Sequence, residues 1–405
     1  MRERGGLCGG FATGLKEARR DHRGAPPRGR GDVIAARGRK TTLTALLAGL
    51  AWLPGGGPAA ATGQAGGGPT PATAHSPGGE RVYVANQTAA SVSIIDVASG
   101  EVVRTIDMTE LGFDANCRPH DTAVDPDGRH WYVSLIGGGH VLRFTADGEL
   151  VGRAPFETPG LLAVDPASNM LYVGRSMMAV NPPQRIGAIV REEMSVEELD
   201  VFFPRPHALT VDPEGDRIFA ASLVENRVAV VEGGSGDIEL ADVDGPPHTF
   251  VQFALSPDRR HLVATAQLTG RLLVFDASSP ALDLVTEVDV GTQPWHPVYS
   301  PDGSRVYFGA KDDDAIVEVE TEGWTVTRRA TGPGIVEPHG SAVTADGRYL
   351  FVSNRNEKGA YSPRREVENN AEVGTVVKID TRTFEVVQII EVGAYPAGIS
   401  IGPAG

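Results

Sequence analysis

The sequence predicts an all-β chain folded as a seven-bladed β-propeller, closed by pairing of the C-terminal inner strand with the N-terminal blade. Three observations predict it: a tandem repeat, the strand-and-turn order inside each copy, and the complementarity of the two chain ends. The repeat is a Pro-Asp-Gly-type turn followed by a hydrophobic-aromatic-hydrophobic run. It reads SPGGERVYV at Ser76–Val84, DPDGRHWYV at Asp125–Val133, DPASNMLYV at Asp165–Val173 and DPEGDRIFA at Asp212–Ala220. It continues as SPDRRHLVA at Ser256–Ala264, SPDGSRVYF at Ser300–Phe308 and TADGRYLFV at Thr344–Val352. A period of about 40 to 50 residues means a solenoid, a propeller or an array. Short strands and Gly/Pro turns without helical periodicity select the propeller.

Each copy holds four strand-like runs. Around Asp212 they are His207–Val211, Arg217–Ser222, Arg227–Glu232 and Ile238–Val243. β-Branched and apolar residues dominate these runs. The turn Pro presets φ, and the turn Gly accepts φ > 0. A single blade cannot bury both faces, whereas a ring of blades buries each face against a neighbour. The segment Tyr395–Gly405 supplies an inner strand, and the first copy begins at a turn and lacks one. Pairing the two ends hides both sheet edges. The inner strands are expected near His120, Gly160, His207, His248, His296, His339 and Ala397.

The 50 Gly and 29 Pro among 405 residues fit a turn-rich β protein. Residues 76–405 read as one closed domain. Residues 1–79 carry 11 Lys/Arg against 4 Asp/Glu, and the remainder 26 against 48. An acidic propeller argues against a nucleic-acid partner and is compatible with a cationic ligand or a metal ion. Residues 1–65 read as a targeting region. Basic Arg37–Lys40 precedes the apolar core Thr42–Leu53 and a small-residue stretch, the order of a secretory signal peptide. That core is too short to span a bilayer. Cleavage is expected after Ala61 or Ala65; cleavage after Ala74 would expose His75. Residues 1–32, Arg- and Gly-rich, are expected to precede the true start, with Val33 the candidate initiator. Residues 66–75 read as a flexible linker. The mature chain is thus expected in the periplasm or secreted, monomeric, without a transmembrane segment. Cys117 would be its single cysteine, so no intramolecular disulfide can form.

Five of the ten histidines recur at the entrance to the inner strand: His120, His207, His248, His296 and His339. His120, His207 and His339 stand five residues before their turns. His296 is one residue off, and His248 lies three further away. Residues opening the inner strands face one mouth of the central channel, so five imidazoles are expected to converge there. Cys117 would reach the same mouth. Imidazole is the commonest ligand for copper, zinc and iron, and a neighbouring thiol favours copper or zinc. His140 and the insertion Asn354–Gly374 belong to the same face, whereas His130 and His261 belong to the opposite one. The competing readings are an organic ligand or anion in that mouth, and a wet structural channel. Asp312–Asp314 lacks EF-hand spacing and reads as a solvated loop. Met177 and Met178 read as loop packing. Haem-attachment, nucleophile-elbow and phosphate-loop motifs are absent from the sequence.

Phrases such as SPDGSRVYFGAKDDDAIVEVE and ADGRYLFVSNRN resemble the YVTN-type β-propeller repeat family over residues 76–405. The resemblance is specific for fold and poor for function. Three related architectures suggest chemistries. PPHTFV and EPHGSAV are similar to the histidine-bearing strands of nitrous oxide reductase, which implies copper ligation by His248 and His339. This chain has five such histidines rather than seven, and no cupredoxin domain. Haem-type nitrite reductases hold haem at the mouth of an eight-bladed propeller, one blade more than here. Lactonase-type propellers use acidic and basic mouth residues, for which Asp121, Arg118 and Arg205 are the candidates. The expected function is binding of a metal ion or small ligand, accessory to an extracytoplasmic redox system and its partner proteins. The alternatives are a copper-dependent oxidoreductase, an interaction scaffold or a lactonase-type hydrolase.

Overall fold

The structure, a computed structural model, describes residues 79–405. The expectations for the targeting region, the linker and the opening of the first repeat lie outside the described residues. The described chain forms seven four-stranded antiparallel sheets, the seven blades of the ring. Blade 4 consists of strands Pro206–Val211, Arg217–Ser222, Arg227–Glu232 and Ile238–Asp242, within one residue of the runs read from the sequence. Blade 1 is composite. Its inner strand, Pro396–Pro403, lies against Glu80–Asn86 with Ile399 opposite Val84 and Ile401 opposite Val82. The C-terminus therefore closes the ring on the first blade.

The core is divided into seven apolar clusters, one between each pair of neighbouring blades. Between blades 1 and 2, Tyr83, Val92 and Met108 meet Trp131, Leu142 and Phe144, with Trp131 stacked on Phe144 at 4.3 Å between ring centroids. Each such buried side chain contributes about 1.5–3 kcal/mol. Outer strands such as Thr325–Ala330 alternate exposed and half-buried residues, as an outer edge requires. Among the described residues no helix is long and apolar enough to cross a membrane.

One backbone device repeats in all seven blades and builds the channel mouth. The residue preceding each inner strand adopts a left-handed conformation although it is not glycine: Arg118, Thr158, Arg205, Thr249, Gln293, Glu337 and Tyr395, with φ between 46° and 57°. Its carbonyl accepts the amide N–H of the residue after the second strand: Ile136, Ser176, Leu223, Gln267, Lys311, Arg355 and Gln87, respectively. A left-handed non-glycine residue costs on the order of 1–3 kcal/mol, and such strain concentrates at ligand sites and switches. In six blades a proline follows, which fixes the next φ. In blade 6, Pro294 and Pro297 remove two N–H donors. The inner strand there shrinks to Val298–Tyr299 plus an isolated bridge from Pro294 to Ala310.

Candidate functional site at the channel mouth

Counting two residues on from the left-handed position gives the first ring of the mouth: His120, Gly160, His207, Val251, Trp295, His339 and Ala397. The next position gives Asp121, Leu161, Ala208, Gln252, His296, Gly340 and Gly398. Four of the predicted imidazoles come together. The rings of His296 and His339 lie 4.4 Å apart, and those of His120 and His339 6.1 Å apart. Trp295 stacks on His339 at 4.5 Å. His207 lies near enough to His120 and His296 for its charge to depress theirs.

All four imidazoles are buried and neutral. Burial, then the His207 and Arg355 charges, pushes His120 down to about 3. Burial pushes His207 down to about 4, against the opposing pull of the Arg175 carbonyl. His296 and His339 lie well below the usual imidazole range, chiefly through burial and through their neighbours' charges. His207 Nδ1 meets the Arg175 carbonyl at 2.7 Å and must donate to it, which leaves the Nε2 lone pair free. His120 Nδ1 meets Gln87 Oε1 at 3.3 Å. The Nε2 atoms of His120, His207 and His296, and both ring nitrogens of His339, are buried without a partner among the described residues. Buried polar atoms are rarely left so.

The other predicted residues lie elsewhere. His248 precedes the left-handed Thr249 and falls outside both rings. It bonds Thr269 Oγ1 and stacks on Phe250, and Val251 occupies the ring position in its blade. The Pro-His pair of blade 5 is therefore displaced from the equivalent pair in blades 2, 4 and 7. Cys117 is 1% exposed and packs in the apolar cluster between blades 1 and 2, where burial pushes its thiol up to about 11. It does not line the channel. His140 bonds the Gly138 carbonyl and sits edge-on to Phe113 at 5.8 Å, apart from the cluster. Asp121 adjoins His120, but its Oδ2 accepts the Leu162 N–H across the blade interface, and burial raises its carboxyl to about 7. Gln252 plays the same part toward the Leu209 N–H. Arg118 contacts Met178, and Arg205 donates to the Met177 carbonyl, both on the rim.

Two residues that the sequence reading did not single out complete the site. Arg355, at the start of the long insertion, is 6% exposed and lies between the rings of Trp295 and Tyr395. Trp295 could have been found by counting five residues back from the Ser300 turn, and Arg355 by the repeat position it shares with Lys311. A cleft of about 340 Å³ opens at this face, lined by Gln87, Arg118, Met178, Glu357 and Tyr395 among others.

No family model matches the chain. YncE, an uncharacterised protein of Salmonella typhimurium, is 24% identical over 268 residues, covering 62% of this chain and 71% of that one. A functionally unknown protein from Desulfotomaculum acetoxidans superposes with a TM-score of 0.63 at 15% identity, over 80% of this chain and 98% of that one. The chain is a seven-bladed β-propeller, and its repeats resemble the YVTN type. Apo AztD from Citrobacter koseri superposes with a TM-score of 0.57 at 10% identity, over 80% of this chain and 98% of that one. At these identities the solved structures carry the propeller fold alone. The chemistry rests on this propeller's own mouth.

Proposed function

We propose that this propeller is an exported binding protein that takes one copper or zinc ion at the mouth of its channel through His120, His207, His296 and His339. The observation that carries this reading is the set of orphaned ring nitrogens on four neighbouring, buried, neutral imidazoles. Neutral imidazole is the ligating form, so at pH 7 a metal ion would not have to displace a proton from these rings. The hydrogen bond from His207 to the Arg175 carbonyl fixes the tautomer a metal ligand needs. Among the described residues no three His, Cys, Asp or Glu side chains are already arranged around one ion, so binding requires the rings to turn. Cys117, His140 and His248 take no part.

The role proposed is accessory binding for extracytoplasmic redox chemistry. A hydrolase centred on Asp121 is not favoured, because that carboxyl is committed to the Leu162 amide. Calorimetric titration of chelator-treated protein with zinc, and with copper(II), tests the proposal. One ion per chain is expected for at least one metal, with affinity falling at least about tenfold in His207→Ala and His339→Ala and unchanged in His248→Ala. Equal loss in His248→Ala, or no saturable binding of either ion, contradicts it.

A further inference from the structure

The geometry points to a second ligand class at this mouth: an anion, carboxylate or phosphate-like, held edge-on by Arg355. The guanidinium carbon lies 4.7 Å from the Trp295 ring centroid and 4.6 Å from that of Tyr395. Rings on the guanidinium leave its in-plane N–H edges as the route to a ligand. Those edges are unfilled. Among the described residues the Arg355 side chain makes no hydrogen bond, and its Nε is buried without a partner. The one carboxylate in reach, Glu357, stands 3.9 Å away, beyond hydrogen-bond distance, and its side chain is 46% exposed.

A buried guanidinium whose nearest carboxylate is half-exposed and 3.9 Å away is costly, and a planar fork with free N–H groups matches the two oxygens of a carboxylate or an oxoanion. The groups around Arg355 neutralise it only in part, through Glu357 and Glu337. His120, His296 and His339 lie within its field and are neutral. Glu337 accepts the Lys358 amide N–H. Lys311 adds positive charge near His339, and Arg118 lines the cleft that Tyr395 and Glu357 also line. The chain as a whole is acidic, so this is a local reversal of sign. At the repeat position of Arg355 the other blades carry Gln87, Ile136, Ser176, Leu223, Gln267 and Lys311, and the fold needs only the backbone N–H there. The guanidinium is thus surplus to the scaffold.

This inference stands without the metal, and its test uses metal-free protein. Chelator-treated protein is titrated calorimetrically at pH 7 with sodium phosphate and, separately, with sodium malonate. Saturable one-to-one binding of at least one is expected. Phosphate alone assigns a tetrahedral oxoanion, malonate alone a carboxylate, and both together an edge that reads either. Arg355→Lys keeps the charge and loses the fork, and should weaken binding about tenfold or more. Glu357→Gln, at an exposed position, should tighten it about two- to fivefold by removing a competing charge. Absence of saturable binding to the wild type overturns the inference. So does unchanged affinity in Arg355→Lys, or weakened affinity in Glu357→Gln.

Discussion

The two faces of the ring come from one repeat, yet they treat their polar groups in opposite ways. On the face of the Asp-Pro-Asp-Gly-type turns, the buried carboxylates and hydroxyls have partners. Asp212 is fully buried and ion-paired with Arg217 and Arg259, and Arg259 also reaches Glu214 and Asp216 of the neighbouring turn. Asp125 is held by Arg191 and His130. Ser256, Ser300 and Thr344 donate to Asp258, Asp302 and Asp346 within their own turns. On the mouth face, the four clustered imidazoles and the Arg355 guanidinium carry buried nitrogens without a partner among the described residues, as does His248 at its Nε2. One face spends its polar side chains on holding blades together. The other keeps them unsatisfied, on strained backbone, around one small volume. That pattern supports the proposed ligand site, since apolar groups at those positions would serve a scaffold better.

The largest effect expected of this contrast is a response to acid. An unfolded imidazole titrates near 6.5, whereas burial holds His120 near 3 and His207 near 4 in the folded ring, with His296 and His339 also far below. Between those values the unfolded chain binds protons that the folded chain refuses. Stability is therefore full above about 6.5 and is lost as pH falls toward 4. Asp121 acts with the opposite sign. Its raised carboxyl favours the fold at low pH, and that contribution is lost as pH rises through about 7. One carboxyl offsets only part of four imidazoles. Urea midpoints should fall steadily from pH 7 to pH 4.5, and a flat profile would refute the burial of neutral imidazoles.

A smaller effect is expected on the turn face. Arg259→Met leaves Asp212 with Arg217 alone and should cost about 2 kcal/mol in urea unfolding, with metal binding unchanged. Smaller still, and of opposite sign, is His339→Leu. It removes two unpartnered buried nitrogens and should raise stability by about 1 kcal/mol while lowering metal affinity. A variant at His339 that loses stability in proportion to binding would make the cluster structural.

The propeller was legible because the turn, the strand alternation and the chain ends all say the same thing locally. The site was legible only where register could be counted. Five residues before the turn stand His120, His207 and His339, and the same count lands on Val251 and Trp295 in blades 5 and 6. The Pro-His spelling at His248 outweighed that count and misled. Cys117 was misplaced because three residues of separation from His120 include the left-handed Arg118, which redirects the chain. Arg355 was missed because its burial comes from Trp295 and Tyr395, which are distant in sequence and meet it only when the ring closes.

The most direct test of the central claim is elemental analysis of the protein isolated from its producing cell. The account predicts about one copper or zinc ion per chain, lost in the His207→Ala/His339→Ala double variant and retained in His248→Ala. Metal-free protein at native loading, with thermal stability unchanged on adding copper or zinc, would contradict it.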